Sequence, residues 1–332
     1  MSSVSIGVLG AGSWGTALAL LLARNGHPVR LWGHRPAHLA QLAEARCNER
    51  YLPGVRFPDG LRVCPELEEC VGASDPLLVV VPSQSYRATL SQANRYLPAG
   101  AGVVWATKGL EHGSGRFLHQ VTAEVIGDKH PTAIVSGPSF AREVAADLPT
   151  AMTVASHAPG FAETVADLLH ARSMRAYTSR DVVGVELGGA VKNALAIAAG
   201  ISDGLGFGAN ARAALVTRGL AEMVRLGSAV GGRRETFMGL AGLGDLVLTC
   251  TDNQSRNRRF GLALGAGQDL DAARSTIGQV VEGAATAHEI MRLANQYDVD
   301  MPITEQVDRV VRGIRTPREA VETLLARDPK PE

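Results

Sequence analysis

Lysine is scarce in this 332-residue chain. Of its 33 basic residues only four are lysine (Lys108, Lys129, Lys192 and Lys330), and the other 29 are arginine. Either side chain supplies a surface cation, but only the ammonium readily gives up a proton. The few lysines that are kept therefore each call for a reason. Net charge is lacking too, because 33 acidic residues balance the 33 basic ones. No overall field favours a nucleic acid or an anionic membrane as partner. Cysteine is limited to Cys47, Cys64, Cys70 and Cys250, with no Cys-x-x-Cys spacing and no histidine at zinc-finger distance. Neither a metal site nor a disulfide framework is expected, and four free thiols suit a reducing cytosol. Met1–Val8 has no basic segment and no long apolar run, so no signal peptide is expected. The most apolar stretches, Leu77–Val81 and Ala194–Ala199, fall far short of the ~20 residues of a membrane span. The expectation is a soluble cytoplasmic protein.

What is present is enough for a sizeable core: 45% hydrophobic and 20% charged residues. At roughly 100–200 residues per domain, the length suits two domains or one large one. The first half alternates two patterns. Short β-branched or apolar runs at Val4–Leu9, Val29–Trp32, Leu77–Val81, Val103–Ala106, Ala133–Val135 and Ala151–Ala155 read as strands. Thr16–Arg24, Ala37–Asn48, Phe117–Ile126 and Phe161–Ala171 read as helices between them. Such alternation implies an α/β domain with a doubly wound, Rossmann-type parallel sheet and right-handed crossovers. After Tyr177-Thr178-Ser179 no convincing strand occurs. Ser179 is placed to cap a helix beginning near Asp181. Asp181–Ala199, Ala209–Val230, Arg256–Leu264, Ala284–Tyr297, Thr304–Arg312 and Arg318–Leu325 then read as helices. We divide the chain into a dinucleotide-binding domain, 1–180, and an all-helical substrate-binding and catalytic domain, 181–332. The polar tail Arg327–Glu332 is expected to fray.

Gly10-Ala11-Gly12-Ser13-Trp14-Gly15 is a GxGxxG string that follows a predicted strand and opens a predicted helix. That context gives the string its meaning. Gly10 permits a tight turn, Gly12 lets the backbone approach a pyrophosphate, and Gly15 lets helix and strand pack closely. The free N–H groups at the helix start then face the anion. The second strand ends in Trp32-Gly33-His34-Arg35, with no acid to hold a ribose 2′-hydroxyl. Arg35 and His34 instead offer donors to a 2′-phosphate, so NADPH is expected as the preferred cofactor, with NADH as the alternative.

Lys129 and Lys330 sit in polar surroundings and read as surface cations. Lys108 stands at the carboxyl end of a predicted strand, in Trp105-Ala106-Thr107-Lys108-Gly109. Ligands of open α/β sheets bind beyond such ends. Lys192 lies in Glu186-Leu187-Gly188-Gly189-Ala190-Val191-Lys192-Asn193, a helix with almost no other charge. An ammonium there is either a snorkelling stem or a buried group with a lowered pKa, hence a general acid near neutral pH. His112, His119, His130, His157, His170 and His288 lie in polar or helix-surface contexts and are weaker candidates.

The ordered set of Gly10–Leu18, Asn48–Gly54, Ala106–Leu110, Ser136–Ala141, Ala190–Asn193, Gly242–Leu246, Ser255–Asn257 and Val281–Gly283 resembles the bacterial NAD(P)-dependent glycerol-3-phosphate dehydrogenase family. The resemblance spans about residues 4 to 325. It implies reversible reduction of dihydroxyacetone phosphate to sn-glycerol 3-phosphate, a phospholipid precursor. Lys192 would donate and accept the proton. Lys108, Asp245, Asn193 and Thr249 would surround the reacting carbonyl. Gly137, Ser139, Ser255, Arg256 and Asn257 would hold the substrate, with Arg256 nearest its phosphate. Ser13, Trp14, His34, Arg35, Lys108, Ala141, Arg256, Val280 and Glu282 would contact the cofactor beside Gly10, Gly12 and Gly15. A homodimer is compatible with the sequence, which does not fix the assembly. Dehydrogenases of the 3-hydroxyacid and 6-phosphogluconate groups share the two-domain plan. They tend to carry Lys-x-x-x-Asn, whereas here Asn193 adjoins Lys192 and position 196 is alanine. A non-catalytic NADPH sensor would need the first domain without Lys108, Lys192 and Asp245 together.

Overall fold

A computed structural model describes residues 4–328. Lys330 and the end of the polar tail lie outside the described residues, as do residues 1–3. Ten strands form in chain order: β1 (Ile6–Leu9), β2 (Val29–Trp32), β3 (Cys47–Asn48), β4 (Leu52–Arg56), β5 (Leu61–Val63), β6 (Leu77–Val79), β7 (Val103–Trp105), β8 (Thr132–Ser136), β9 (Thr150–Ala155) and β10 (Met174–Ser179). Between them run α1 (Ser13–Arg24), α2 (Pro36–Ala45), α3 (Leu67–Val71), α4 (Ser83–Ala93), α5 (Leu118–Ile126), α6 (Ala141–Ala145) and α7 (Phe161–Leu169). Eight strands make one sheet in the order β10-β9-β8-β7-β6-β1-β2-β5, and β3 and β4 form a separate hairpin.

The continuous apolar runs of β1, β6 and β7 are buried throughout because helices cover both faces of the sheet. Leu9 pairs with Trp32 on one side and with Val79 on the other, and Val79 pairs with Trp105. The carboxyl ends of β2, β1, β6 and β7 therefore stand side by side. The glycine loop, the His34-Arg35 segment and the Lys108 loop leave the same edge, at the point where the strand order reverses.

Two features depart from the expected sheet. It is not wholly parallel, since β9 runs antiparallel to β8. Residues 137–149 join these strands with only the five-residue α6 between them. That is too little chain for a full crossover helix followed by a parallel return. The sheet also gains β5 and β10 at its edges. Their exposed positions break the apolar run that marked the central strands.

Beyond β10 every described element is helical: α8 (Val182–Gly204), α9 (Gly208–Ala229), α10 (Arg234–Phe237), a π-helical turn at Leu240–Gly244, α11 (Asp245–Thr251), α12 (Arg256–Gly265), α13 (Leu270–Ile277), α14 (Glu282–Gln296), α15 (Pro302–Val311) and α16 (Pro317–Leu325). The cap of α8 is Asp181, whose carboxylate accepts from the Gly184 amide at 2.9 Å. The expected cap, Ser179, instead accepts from the Asp181 amide at 3.1 Å. All of α8 is long and apolar enough to cross a membrane, longer than the Ala194–Ala199 run indicated, yet it lies inside the protein as the central helix of the second core. Glycines let α12 cross it backbone on backbone. A Cβ at Gly200 would stand 2.0 Å from the Arg258 carbonyl oxygen, and one at Gly261 would stand 2.1 Å from that of Ile197. The two halves also interlock, because Leu110 and Phe117 pack into the helical core while Val182 and Val185 pack under the sheet.

Candidate active site

A cleft of about 1080 Å³ runs along the carboxyl edge of the sheet and is closed on its far side by helices of the second half. At one end lies the glycine loop. Gly10 has φ +125°, and a Cβ on Gly15 would meet the Gly10 carbonyl oxygen at 1.8 Å. Both glycines are closed in by protein. A Cβ on Gly12 would meet nothing within 4 Å, so that residue faces open cleft. Helix α1 has Gly12 as its cap and no side chain satisfying its first N–H groups. The Trp14 indole Nε1 is buried beside them without a protein acceptor. Free backbone donors, an open glycine and an orphaned indole N–H fit a dinucleotide laid across the loop.

The end of β2 presents His34 and Arg35, and the Arg35 Nε donates to the His34 ring at 3.3 Å. The Asn48–Gly54 stretch, to which the sequence assigned no task, forms the next wall. Asn48 is fully buried and donates to the Ala11 carbonyl at 3.1 Å and to the Thr16 hydroxyl at 2.8 Å. This pins the β3–β4 hairpin to the glycine loop and brings Arg50 and Tyr51 to the cleft. Their side chains gave no chemical signal in sequence. Only the recurrence of the stretch in a known motif set marked it.

At the other end both singled-out lysines converge. Lys192, on α8, is 7% exposed; its Nζ donates to Asp245 Oδ1 at 2.5 Å and to the Thr249 hydroxyl at 3.0 Å. Lys108, from the loop after β7, donates to the other carboxylate oxygen, Oδ2, at 2.6 Å and to the Gly137 carbonyl at 3.0 Å. Asp245 is 1% exposed. It opens α11 straight after the π-helical turn, and Thr249 follows one turn later. Burial pulls the Lys192 ammonium down to about 8, and the Lys108 charge works in the same direction. The Asp245 carboxylate opposes both.

The remaining expected residues fall around this centre. Asn193 accepts from the Asn257 amide at 2.9 Å and leaves its own buried Nδ2 without a protein partner. Asn257 in turn accepts from the Gly283 amide at 3.0 Å. Ser255 caps α12 by accepting from the Arg258 amide at 3.2 Å. Arg256 reaches the Gln279 side chain at 3.2 Å and lines the cleft. Of the neighbouring arginines, Arg259 also lines the cleft, while Arg258 turns inward to an ion pair with Asp203. Ser139, Ala141, Val280 and Glu282 line the cleft as well. Burial raises the Glu282 carboxyl above its ordinary value, against the pull of Arg256 and both lysines. Gly137 and Asp245 do not line the cleft. Each stands behind Lys108, Gly137 as an acceptor and Asp245 as a counter-ion.

The histidines judged by their sequence neighbours have partners in space. His112 stands by Glu289, His119 by Glu186 and His288 by Asp308. None of the three lines the cleft.

Residues 5–162 match the N-terminal, and residues 181–322 the C-terminal, family of NAD-dependent glycerol-3-phosphate dehydrogenase. The chain is 61% identical over all 332 residues, and over the whole partner, to a glycerol-3-phosphate dehydrogenase (NAD(P)+) of Thioalkalivibrio sulfidiphilus. It is 57% identical to one of Aeromonas hydrophila over 99% of both chains. A crystal structure of glycerol-3-phosphate dehydrogenase from Coxiella burnetii superposes with a TM-score of 0.95 at 49% identity, covering 98% of this chain and 99% of that one.

Proposed function

From the premise that this chain belongs to the NAD-dependent glycerol-3-phosphate dehydrogenase family, we propose how its residues share the work. The enzyme is an oxidoreductase that uses NAD(P)H to reduce dihydroxyacetone phosphate to sn-glycerol 3-phosphate, reversibly. The dinucleotide, when bound, supplies or takes up the hydride. Residues 1–180 serve as its binding domain and residues 181–332 as the substrate domain.

Lys192 gives its proton to the ketone oxygen as that oxygen gains negative charge, and the neutral amine then recovers a proton from water. In the reverse direction the neutral amine takes the hydroxyl proton. Lys108 directs a second N–H at the reacting end of the substrate. Asp245 holds both ammonium groups in place and keeps Lys192 charged despite its burial. Thr249 fixes the Lys192 rotamer, and the free Nδ2 of Asn193 is a donor for a substrate oxygen. The Arg256 guanidinium and the Asn257 and Ser255 side chains receive the phosphate, where a planar fork suits the anion. What carries this reading is one observation: ammonium groups from the two halves of the chain meet on the two oxygens of a single buried carboxylate.

The glycine loop with Ser13 and Trp14 would hold the pyrophosphate and neighbouring parts of the cofactor, and Ala141, Val280 and Glu282 would flank it. His34 and Arg35 would receive a 2′-phosphate, which favours NADPH over NADH. The enzyme would act in the cytoplasm and feed glycerophospholipid synthesis, a setting that four unbridged thiols suit. A homodimer is compatible with the chain, and the partly buried Leu215, Val216 and Leu220 of α9 would offer it apolar surface.

The test is NADPH oxidation with dihydroxyacetone phosphate. Lys192→Ala should lower kcat at least ~10²-fold while NADPH still binds, as loss of a general acid predicts. A variant that keeps its kcat removes Lys192 from the mechanism. Running the same assay with NADH tests the cofactor preference. Arg35→Ala should erase most of the advantage of NADPH, and a wild type that favours NADH would end that part of the reading.

A further inference from the structure

Glu186 is a buried carboxylate for which the chemistry above has no use. It is 3% exposed, in the first half of α8. Burying a charge is costly unless donors surround it, and here three do. The Trp105 indole Nε1 donates to Oε1 at 3.2 Å, and the His119 amide donates to the same oxygen at 3.0 Å. The His119 ring Nδ1 meets the other oxygen, Oε2. Each donor comes from the first half of the chain, while Glu186 belongs to the second.

The position of these groups matters more than their number. Trp105 ends β7 and stands three residues before Lys108. Glu186 stands six residues before Lys192, roughly 9 Å along the helix axis. Midway between them, Gly189 faces the Lys108 stem: a Cβ there would lie 3.5 Å from the Lys108 Cγ and 2.9 Å from the Ser136 hydroxyl. Positions 186, 189 and 192 follow one another turn by turn along one side of α8. Each meets the β7–Lys108 segment or the carboxylate that segment holds. The same strand and loop thus touch the helix at three levels: Trp105 on Glu186, the Lys108 stem on Gly189, and the Lys108 ammonium on Asp245 beside Lys192.

We propose that Glu186 is a positioning residue that sets the register of α8 against β7, and through it the separation of the Lys108 and Lys192 ammonium groups about Asp245. The inference rests on the assignment of Lys192 as proton donor. It concerns hydrogen-bond geometry and not charge, so a neutral side chain of the same shape should serve. Without the brace, Gly189 has no side chain to hold that level, the register of α8 rests on the apolar packing of Val182 and Val185, and the two ammonium groups lose their exact spacing.

The experiment compares Glu186→Ala, Glu186→Gln, Trp105→Phe and Lys192→Ala in the full-length enzyme. Both kcat and KM for dihydroxyacetone phosphate are measured, with NADPH binding by titration. A misplacement of about 1 Å away from the reacting atoms is enough for large rate losses, so kcat should fall at least ~10-fold in Glu186→Ala. KM and NADPH affinity should stay within about 3-fold, because the glycine loop and the Arg256 end of the cleft, which carry most of the binding, do not touch the brace. Glu186→Gln keeps an oxygen for the Trp105 and His119 donors and should restore most of the kcat. Trp105→Phe keeps an aromatic side chain in this buried place while removing the indole donor and part of the ring volume, which keeps the proposal testable if the alanine variant does not fold. It too should lower kcat alone. A general loosening between the halves would act differently, weakening the binding of both ligands, since the cleft is walled by both. Wild-type kcat in folded Glu186→Ala and Trp105→Phe, or loss of ligand binding in step with kcat, overturns the proposal. If either result comes with an inactive Lys192→Ala, the proton-donor assignment stands. If Lys192→Ala remains active, that assignment fails first and the brace has nothing to position.

Discussion

A lysine inside an apolar helix could be an accident that snorkels to water or a group whose proton is put to use. The distances exclude snorkelling, since the ammonium is buried and paired. The Lys192 stem points at Asp245 and Thr249, and its pKa of about 8 is the outcome of burial and Lys108 pulling down against Asp245 pulling up. The sign of the pH dependence follows. Below about 8 Lys192 is charged and can give a proton, and above it is neutral and can only accept one. With kcat/KM reporting on the free enzyme, ketone reduction should be level at lower pH and fall as pH rises through that value, while alcohol oxidation should rise. Asp245→Asn removes the opposing influence and should shift the descending limb to lower pH. A limb that stays put or moves up would show that another group sets it. The sequence marked Lys108 and Lys192 through the rarity of lysine and the oddness of their neighbours. Only the resemblance brought them together with Asp245, because that carboxylate lies 137 positions beyond Lys108 and in an unremarkable context.

At the scale of the element, α8 does most to build the site. Its apolar and small residues let other elements approach closely, and Gly200 against α12 is the tightest such place. Placing a methyl group 2.0 Å from a carbonyl oxygen forces the two helices apart. Gly200→Ala should therefore destabilise the protein by about 1–3 kcal/mol, the usual range for overpacking a core. Its denaturation midpoint should drop, and an unchanged midpoint would mean that the crossing is looser than described. Long periodic helices such as α8, α9 and α14 were legible to within a few residues, because tertiary packing and local pattern agree there. The short helix α11 was not. It follows a glycine-rich run that folds as a π-helical turn over Leu240–Gly244 and carries no helical periodicity, so Asp245 and Thr249 could be named only by resemblance. Edge strands failed for a related reason: β5 and β10 are covered less well than the central strands, and their residues carry no continuous apolar signal.

Over the whole molecule, the alternation of strands and helices followed by helices alone was visible from patterning, and so was the place of the glycine loop and Lys108 at the carboxyl ends of strands. The reversal of β9 was hidden because direction depends on the length and course of a connection, which periodicity does not record. Zero net charge also concealed an uneven distribution. Arg35, Arg50, Arg142, Arg256, Arg259 and Arg274 line the cleft, against Asp252 and Glu282, so a molecule neutral overall offers a cationic channel to small polyanions. The centre of that channel holds a smaller imbalance. Two ammonium groups share one carboxylate, and at neutral pH the trio has one positive charge too many. In the mechanism proposed above, the negative charge growing on the substrate oxygen would be the counter-ion the trio lacks. A second buried carboxylate would have filled that role beforehand, satisfying the resting enzyme and leaving the transition state little to gain.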